Sequence, residues 1–136
     1  MAVTYLSMSR YLAIAEANAG VNGDELLDDV NFTRRVLAAL QEPMARAVGG
    51  SDRYPSIPNK AAALEFALIR EDPLDKSNVL VAHESALEFV YLNGFEFDPR
   101  RSAWNQDELW DAAARGMTES HPRLSEWFDQ CCTRAN

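Results

Sequence analysis

The segment from Asp72 to Gly94 constrains the fold more than any other part of the chain. A proline disfavours the helical conformation in the residue before it, so Asp72-Pro73 should end a preceding helix. Ser77 or Asn78 can cap a new helix, and apolar residues then follow at helical spacing. Gly94 is a typical left-handed residue at a helix end. The segment therefore predicts a loop that leads into a helix ending near Gly94.

A loop of this kind can bind an anion. The unpaired N–H groups of a helix N-terminus point outward, and the positive end of the helix dipole lies there. Every capped helix has such an end, so this feature alone does not indicate a function.

The remainder of the chain also has mainly helical patterns, and only Phe95–Phe97 suggests a brief extended piece. At 136 residues and 47% apolar content, the chain can bury one core and is short for two domains. We expect an all-α fold, a compact bundle of about six helices in a single domain (1–136), with residues 104–136 as a C-terminal helical extension. The other predicted helices run from Ser7 or Ser9 through Ala17, from Val30 to Leu40, from Asn59 to Glu71, from Asn105 to Gly116, and from Ser120 onward, and Asp24 can cap a further short turn or helix.

Charge and hydropathy exclude two classes of partner. A net charge of −8 argues against general nucleic-acid binding, which rewards clustered cations. No apolar run approaches membrane-spanning length, and no basic start typical of a signal peptide is present. We therefore expect a cytoplasmic protein that binds neither nucleic acid nor membrane.

Residues 72–82 read DPLDKSNVLVA, and the helix ends in Asn93-Gly94-Phe95. This pattern resembles the signature of the Doc (death on curing) branch of the Fic family, H-P-F-x-D-(G or A)-N-K-R-x-A, followed by a long helix that ends in N-G-(Y or F). The run AALQEPMARAVGGSDRYPSIPNKAAAL over residues 38–64 is similar to another family pattern, A-L-x-x-P-x-x-x-x-G-G-x-x-x-Y-P-T-x-x-x-K-A-A-A-L. Tyr5-Leu6-Ser7 is also similar to the family's opening, and the agreement covers most of residues 4–98.

The resemblance implies chemistry at positions where this chain carries other residues. Asp72 occupies the position of the family's basic histidine, and Lys76 occupies that of the metal-holding acid. Val79 and Leu80 occupy the positions of the phosphate-binding lysine and arginine. Phosphoryl transfer depends on positioning and on cancelling negative charge, and each lost contact is worth about 2–4 kcal/mol by analogy. The signature therefore looks degenerate.

The resemblance favours a degenerate Doc-like protein of toxin–antitoxin or phage-defence type that acts by binding a protein, with little or no catalysis. The family's antitoxins bind as a helix in a groove near the active site, so the expected partner is an antitoxin-like helix. No cofactor is expected, and no residue is assigned a catalytic or metal-binding role.

The alternative is an active ATP-dependent transferase that phosphorylates or nucleotidylates a protein hydroxyl. Asp72 would then be the base, Asp75 would hold magnesium, and Lys76 would bind phosphate. Mg-ATP would be the cofactor. The candidate phosphate or nucleotide loop comprises Asp72, Pro73, Asp75, Lys76, Ser77 and Asn78.

Two further regions are candidates for partner binding. The turn-rich connection from Gly49 to Pro58 corresponds in the resembled family to a segment near the active-site mouth, and its candidate target or partner residues are Gly49, Gly50, Arg53 and Tyr54. Tyr54 can instead anchor the loop. The second region is a candidate partner surface of aromatic residues in the tail, which can instead cover the core: Trp104, Trp110, Trp127 and Phe128.

The histidines and cysteines have structural interpretations. His83 falls within the apolar stripe of the motif helix, so we expect a buried, hydrogen-bonded side chain that could make the core sensitive to pH. His121 precedes Pro122 and is expected to be exposed. Cys131 and Cys132 are expected to be reduced thiols in a helix.

Overall fold

The structure is a computed structural model that describes residues 2–135. These residues form mainly helix, as predicted, with seven α-helices rather than about six. The helices are α1 Met8–Ala19, α2 Gly23–Leu27, α3 Val30–Gln41, α4 Ile57–Glu71, α5 Asn78–Leu92, α6 Gln106–Ala114 and α7 Ser120–Cys131. Short 3₁₀ turns lie at Glu42–Met44 and Pro99–Arg101, and two strands, β1 Phe95–Phe97 and β2 Cys132–Arg134, form a small sheet.

Helix α4 lies at the centre of the molecule. The Ser56 side chain accepts a hydrogen bond from the amide of Asn59 at its start, and Pro58 lies in its first turn. Its body is rich in alanine and leucine and is buried almost throughout. It packs against α3, α5 and α7, so it holds the other helices in place.

The C-terminal helices contribute to the core. Leu124, Trp127 and Phe128 on α7 are fully buried in the same hydrophobic cluster as α4. The prediction of an exposed aromatic partner surface is therefore wrong for Trp127 and Phe128, because α7 turns them toward α4. Trp104 and Trp110 are half-buried.

The small sheet joins the end of α5 to the end of the chain. Phe95–Phe97 is extended, as predicted, and pairs antiparallel with β2, with Phe97 opposite Cys132. Cys131 ends α7, but Cys132 begins β2, so the helix prediction is wrong for this second cysteine. Both thiols are free and buried, and burial raises the pKa of Cys131 to about 11 and that of Cys132 to about 12.

Several predicted helix ends are confirmed. The Ser7 side chain caps α1, and Gly94 follows α5 with a left-handed φ of 81°. Helix α2 is capped by Asn22 rather than by Asp24, which lies inside it. In the span 2–135 no helix combines the length and the apolar character needed to cross a membrane.

Candidate functional site

The loop of residues 72–77 joins α4 to α5 and has an unusual backbone at both ends. Asp72, which ends α4, has φ 49°, and Ser77, which precedes α5, has φ 58°. Within residues 2–135 these are the two residues other than glycine with positive φ. The left-handed region costs an L-residue about 1–2 kcal/mol, so surrounding contacts must hold the loop in this form.

Asn78 provides these contacts. Its buried side chain donates from Nδ2 to the Leu68 carbonyl at 3.0 Å and accepts at Oδ1 from the Leu74 amide at 3.3 Å. Leu74 is itself buried, so the loop is fastened to the last turns of α4. Neither candidate cap forms: Ser77 makes no side-chain cap because its left-handed backbone turns it outward, and Asn78 points into the loop.

The charged residues of the loop face solvent. Asp72, Asp75, Lys76 and Ser77 are all exposed. Among residues 2–135, none of the three charged side chains is in an ion pair. The structure thus brings the candidate loop residues together on one exposed turn, except for the inward Asn78 and the half-buried Pro73.

The first turn of α5 is apolar. Val79 is half-buried and Leu80 is exposed. In the described part of the chain, no three side chains of histidine, cysteine, aspartate or glutamate are grouped as metal ligands. The loop before α5 therefore carries two exposed acids and one exposed lysine, and the first turn of α5 carries aliphatic side chains.

The connection before α4 is an ordered loop. Gly49 and Gly50 have φ 100° and 91° at its tip, and Arg46 and Asp52 form a bridge across it. Lys60 of α4 lies beneath the loop, where its buried Nζ donates to the Pro43 carbonyl at 3.1 Å and lies 3.6 Å from the Asp52 carboxylate. The sequence analysis did not identify Lys60, although its position within an alanine-rich helix could have indicated a buried lysine.

Tyr54 anchors this loop. Its hydroxyl donates to Glu42 Oε1 at 2.8 Å, and its half-buried ring lies 5.4 Å from the His121 ring. Burial and the hydrogen bond with Glu42 raise the pKa of Tyr54 to about 12. Arg53 remains exposed, with its guanidinium 5.7 Å from the Tyr54 ring.

A pocket of about 250 Å³ lies between this loop and α7. The prediction that His121 is exposed is wrong, because its ring stacks on Phe66 at 5.1 Å. Burial lowers the pKa of His121. Two of the four predicted loop residues, Arg53 and Tyr54, thus line a pocket together with side chains of α7. The pocket is lined by Arg53, Tyr54, Pro55, Asn59, His121, Pro122 and Ser125.

The expectation that His83 is buried and hydrogen-bonded is confirmed. Its Nδ1 lies 2.7 Å from Oε1 of Glu65, which is fully buried on α4. Oε2 of Glu65 finds no hydrogen-bond partner in residues 2–135. The sequence analysis did not identify Glu65, which lies in a helix of buried apolar residues. Four aromatic rings surround the imidazole, those of Phe97, Trp110, Trp127 and Phe128.

No protein-family model, curated protein or solved structure matches this chain.

Proposed function

We propose that this chain is a degenerate Doc-like protein of toxin–antitoxin or phage-defence type, which acts in the cytoplasm by binding a protein and has little or no catalytic activity. The observation that carries the proposal is the contrast within residues 72–80. The loop has two left-handed residues and is fastened by Asn78, whereas Val79 and Leu80 stand where the resembled signature has its phosphate-binding lysine and arginine.

The backbone supports the Doc-like part of the proposal. Ser77 stands where the signature has glycine or alanine, and its φ of 58° is a conformation that glycine adopts freely. Asn78 stands at the signature's asparagine, and its buried side chain ties the loop to α4. Both features are what a chain would keep if it retained the loop's shape.

The side chains support the noncatalytic part of the proposal. Val79 and Leu80 offer no charge to a triphosphate, and Asp72 and Asp75 add negative charge in the loop that leads into α5. Catalysis of phosphoryl transfer depends largely on electrostatic stabilisation by positioned cations. The side chains present therefore do not fit Mg-ATP, and Lys76 is the single cation within the loop.

The partner we propose is a protein encoded beside this one. Tyr54, Arg53 and His121 line a pocket at the loop that the resemblance associates with a bound protein segment. At about 250 Å³ the pocket is smaller than typical small-molecule sites, and its aromatic and polar walls suit a protein side chain better than a nucleotide.

Thermal unfolding with and without Mg-ATP tests the noncatalytic proposal. A ligand that binds only the folded state raises the unfolding temperature by mass action. We expect Mg-ATP to leave the unfolding temperature of the wild-type chain unchanged. The Lys76→Ala variant, whose side chain is exposed, should unfold at the same temperature as the wild-type chain. A rise that Lys76→Ala abolishes would contradict the proposal.

Co-expression with the adjacent gene product should give a co-purifying complex.

One observation favours the alternative of an active transferase. Asp72, Asp75 and Lys76 are exposed on one turn and free of ion pairs within residues 2–135, so a shifted set of catalytic groups is accessible there. Incubation of the protein with labelled ATP and cell lysate tests this reading. Labelling of a protein that is lost in both Asp72→Asn and Lys76→Ala supports the transferase, and its absence refutes it.

A further inference from the structure

The outer face of α3 and the end of α2 carry an exposed apolar stripe. Val30 is 77% exposed, and Leu27 and Leu37 are each 42% exposed. The inner face of α3 buries a separate apolar set, which includes Phe32 and Val36. Since each helical residue turns by about 100°, Val30 and Leu37 lie about 100–160° around α3 from these core residues. The apolar side of α3 is therefore broad, and its edge at Val30 and Leu37 is not covered.

The stripe forms a groove of about 530 Å³. From Val30 to Gln41 it extends on the order of 16 Å along α3, the length of about three helical turns. Exposed apolar grooves of this size commonly mark protein-binding sites. The groove is lined by Leu27, Val30, Thr33, Arg34, Leu37, Ala38 and Gln41.

The charge of the groove restricts what can fill it. Arg34 lies between Val30 and Leu37, and its Nη2 donates to the side-chain oxygen of Asn31 at 3.0 Å. Neither Arg34 nor Arg35 is in an ion pair with a carboxylate of residues 2–135. An arginine at the middle of an apolar groove favours a partner that brings a carboxylate to it.

A second copy of this chain fits poorly. In a two-fold interface the residue at the axis meets its own copy. An antiparallel pairing that covers the stripe from Leu27 to Gln41 has its axis midway, at residue 34, so two Arg34 side chains would face each other. Like charges in contact across an interface disfavour the pairing.

We propose that this groove is a docking surface for an acidic amphipathic helix of a partner protein. Aliphatic side chains of that helix fill the groove beside Val30 and Leu37, and a carboxylate of the helix pairs with Arg34. The inference rests on the proposed function only in supposing that the chain binds a protein. The groove contains no residue of the 72–77 loop. A negative result of the nucleotide experiments therefore does not determine the result of the docking experiment, and the reverse also holds.

Binding of two synthetic helical peptides, measured by fluorescence anisotropy, tests the proposal. Both peptides carry leucines at three- and four-residue spacing. One has glutamates beside the central leucine, and the matched peptide has lysines there. We expect saturable binding of the glutamate peptide and at least about tenfold weaker binding of the lysine peptide.

Variants of the full chain identify the surface. Val30→Asp should weaken binding of the glutamate peptide by about tenfold or more, because an unpaired charge would be buried in the contact. Val48→Asp is the matched control, since Val48 is fully exposed outside the groove. Arg34→Glu should reverse the preference between the two peptides. Circular dichroism of each variant verifies its folding.

Three results would overturn the proposal. Equal binding of the two peptides removes the role assigned to Arg34, and absence of binding of either peptide removes the docking surface. Sedimentation of the wild-type chain as a dimer that Val30→Asp dissociates assigns the groove to a second copy instead.

Discussion

The hydrogen bond between Glu65 and His83 places two ionisable side chains at the centre of an apolar core. A buried polar group that loses its partner keeps its desolvation cost, whereas replacement of both partners by apolar groups of similar size can be nearly neutral. The contributions of Glu65 and His83 to the free energy of unfolding should therefore depend strongly on each other.

We expect His83→Leu to lower the free energy of unfolding by about 2 kcal/mol or more, because it leaves the Glu65 carboxyl unpaired in the core. The double variant Glu65→Leu/His83→Leu should lose less than the sum of the two single variants. Urea denaturation of the four chains gives the coupling free energy directly. Additive losses would show that the two side chains do not depend on each other.

His121 should make stability depend on pH. Burial lowers its pKa in the folded chain below the ordinary histidine value of 6.5, whereas the unfolded chain keeps the ordinary value. The unfolded chain then binds more protons in this window, so stability is complete above about pH 6.5 and falls as the pH falls below it. The charged or titratable groups around the ring are Glu42, Arg53, Tyr54 and Arg70.

His121→Phe removes the titrating group and can keep the stacking on Phe66. Unfolding temperatures of both chains between about pH 7.5 and about pH 5.5 measure the effect. We expect the wild-type chain to lose more stability over this range than the variant does. The two chains are otherwise identical, so the comparison isolates the contribution of residue 121. Identical pH profiles would contradict the assignment to His121.

At the scale of elements, the loop of residues 72–77 keeps a shape that its own residues disfavour. Ser77→Gly should remove the cost of about 1–2 kcal/mol that the left-handed backbone imposes on serine. It should also cost about 0.4–1 kcal/mol, because glycine gives the unfolded chain more conformational entropy. We expect a net gain of up to about 1.6 kcal/mol. Ser9→Gly in α1 is the matched control and should destabilise, because glycine weakens a helix. Thermal unfolding of the two variants is the measurement, and destabilisation by Ser77→Gly would refute the strained loop.

Local sequence signals predicted most of the helices and some of their ends. Ser7, Pro58 and Gly94 act within one or two turns of their own position, so their roles can be inferred from neighbouring residues. Strand β2 could not be predicted in this way, because its three residues are extended through pairing with β1, which lies far away in sequence.

The site was predicted less completely than the helices. The 72–77 loop was located correctly, but the inward orientation of Asn78 depends on the Leu68 carbonyl of another helix. Lys60 and Glu65 were missed because their burial depends on partners from distant segments, Pro43 and His83. Periodicity alone assigns such residues to an apolar face and gives no indication of their partners.

At the scale of the whole molecule, α7 is a structural part of the core. Trp127 is fully buried, whereas Trp104 is half-buried at the edge with the Arg123 guanidinium 5.5 Å from its ring. We expect Trp127→Ala to cost about 3–5 kcal/mol, as large core truncations do. Trp104→Ala should cost about 1 kcal/mol. Guanidinium denaturation compares the two, and equal losses would contradict the central position of α7.

Our central proposal is that the loop retains the shape of a phosphate-binding loop and lacks the lysine and arginine of the resembled signature. Restoring the signature tests it: Asp72→His, Lys76→Asp, Val79→Lys and Leu80→Arg replace four side chains that are exposed or half-buried. Isothermal titration calorimetry with Mg-ATP is the measurement. We expect no saturable heat from the wild-type chain and saturable binding by the restored chain. Saturable binding by the wild-type chain, or none by a correctly folded restored chain, would contradict the claim.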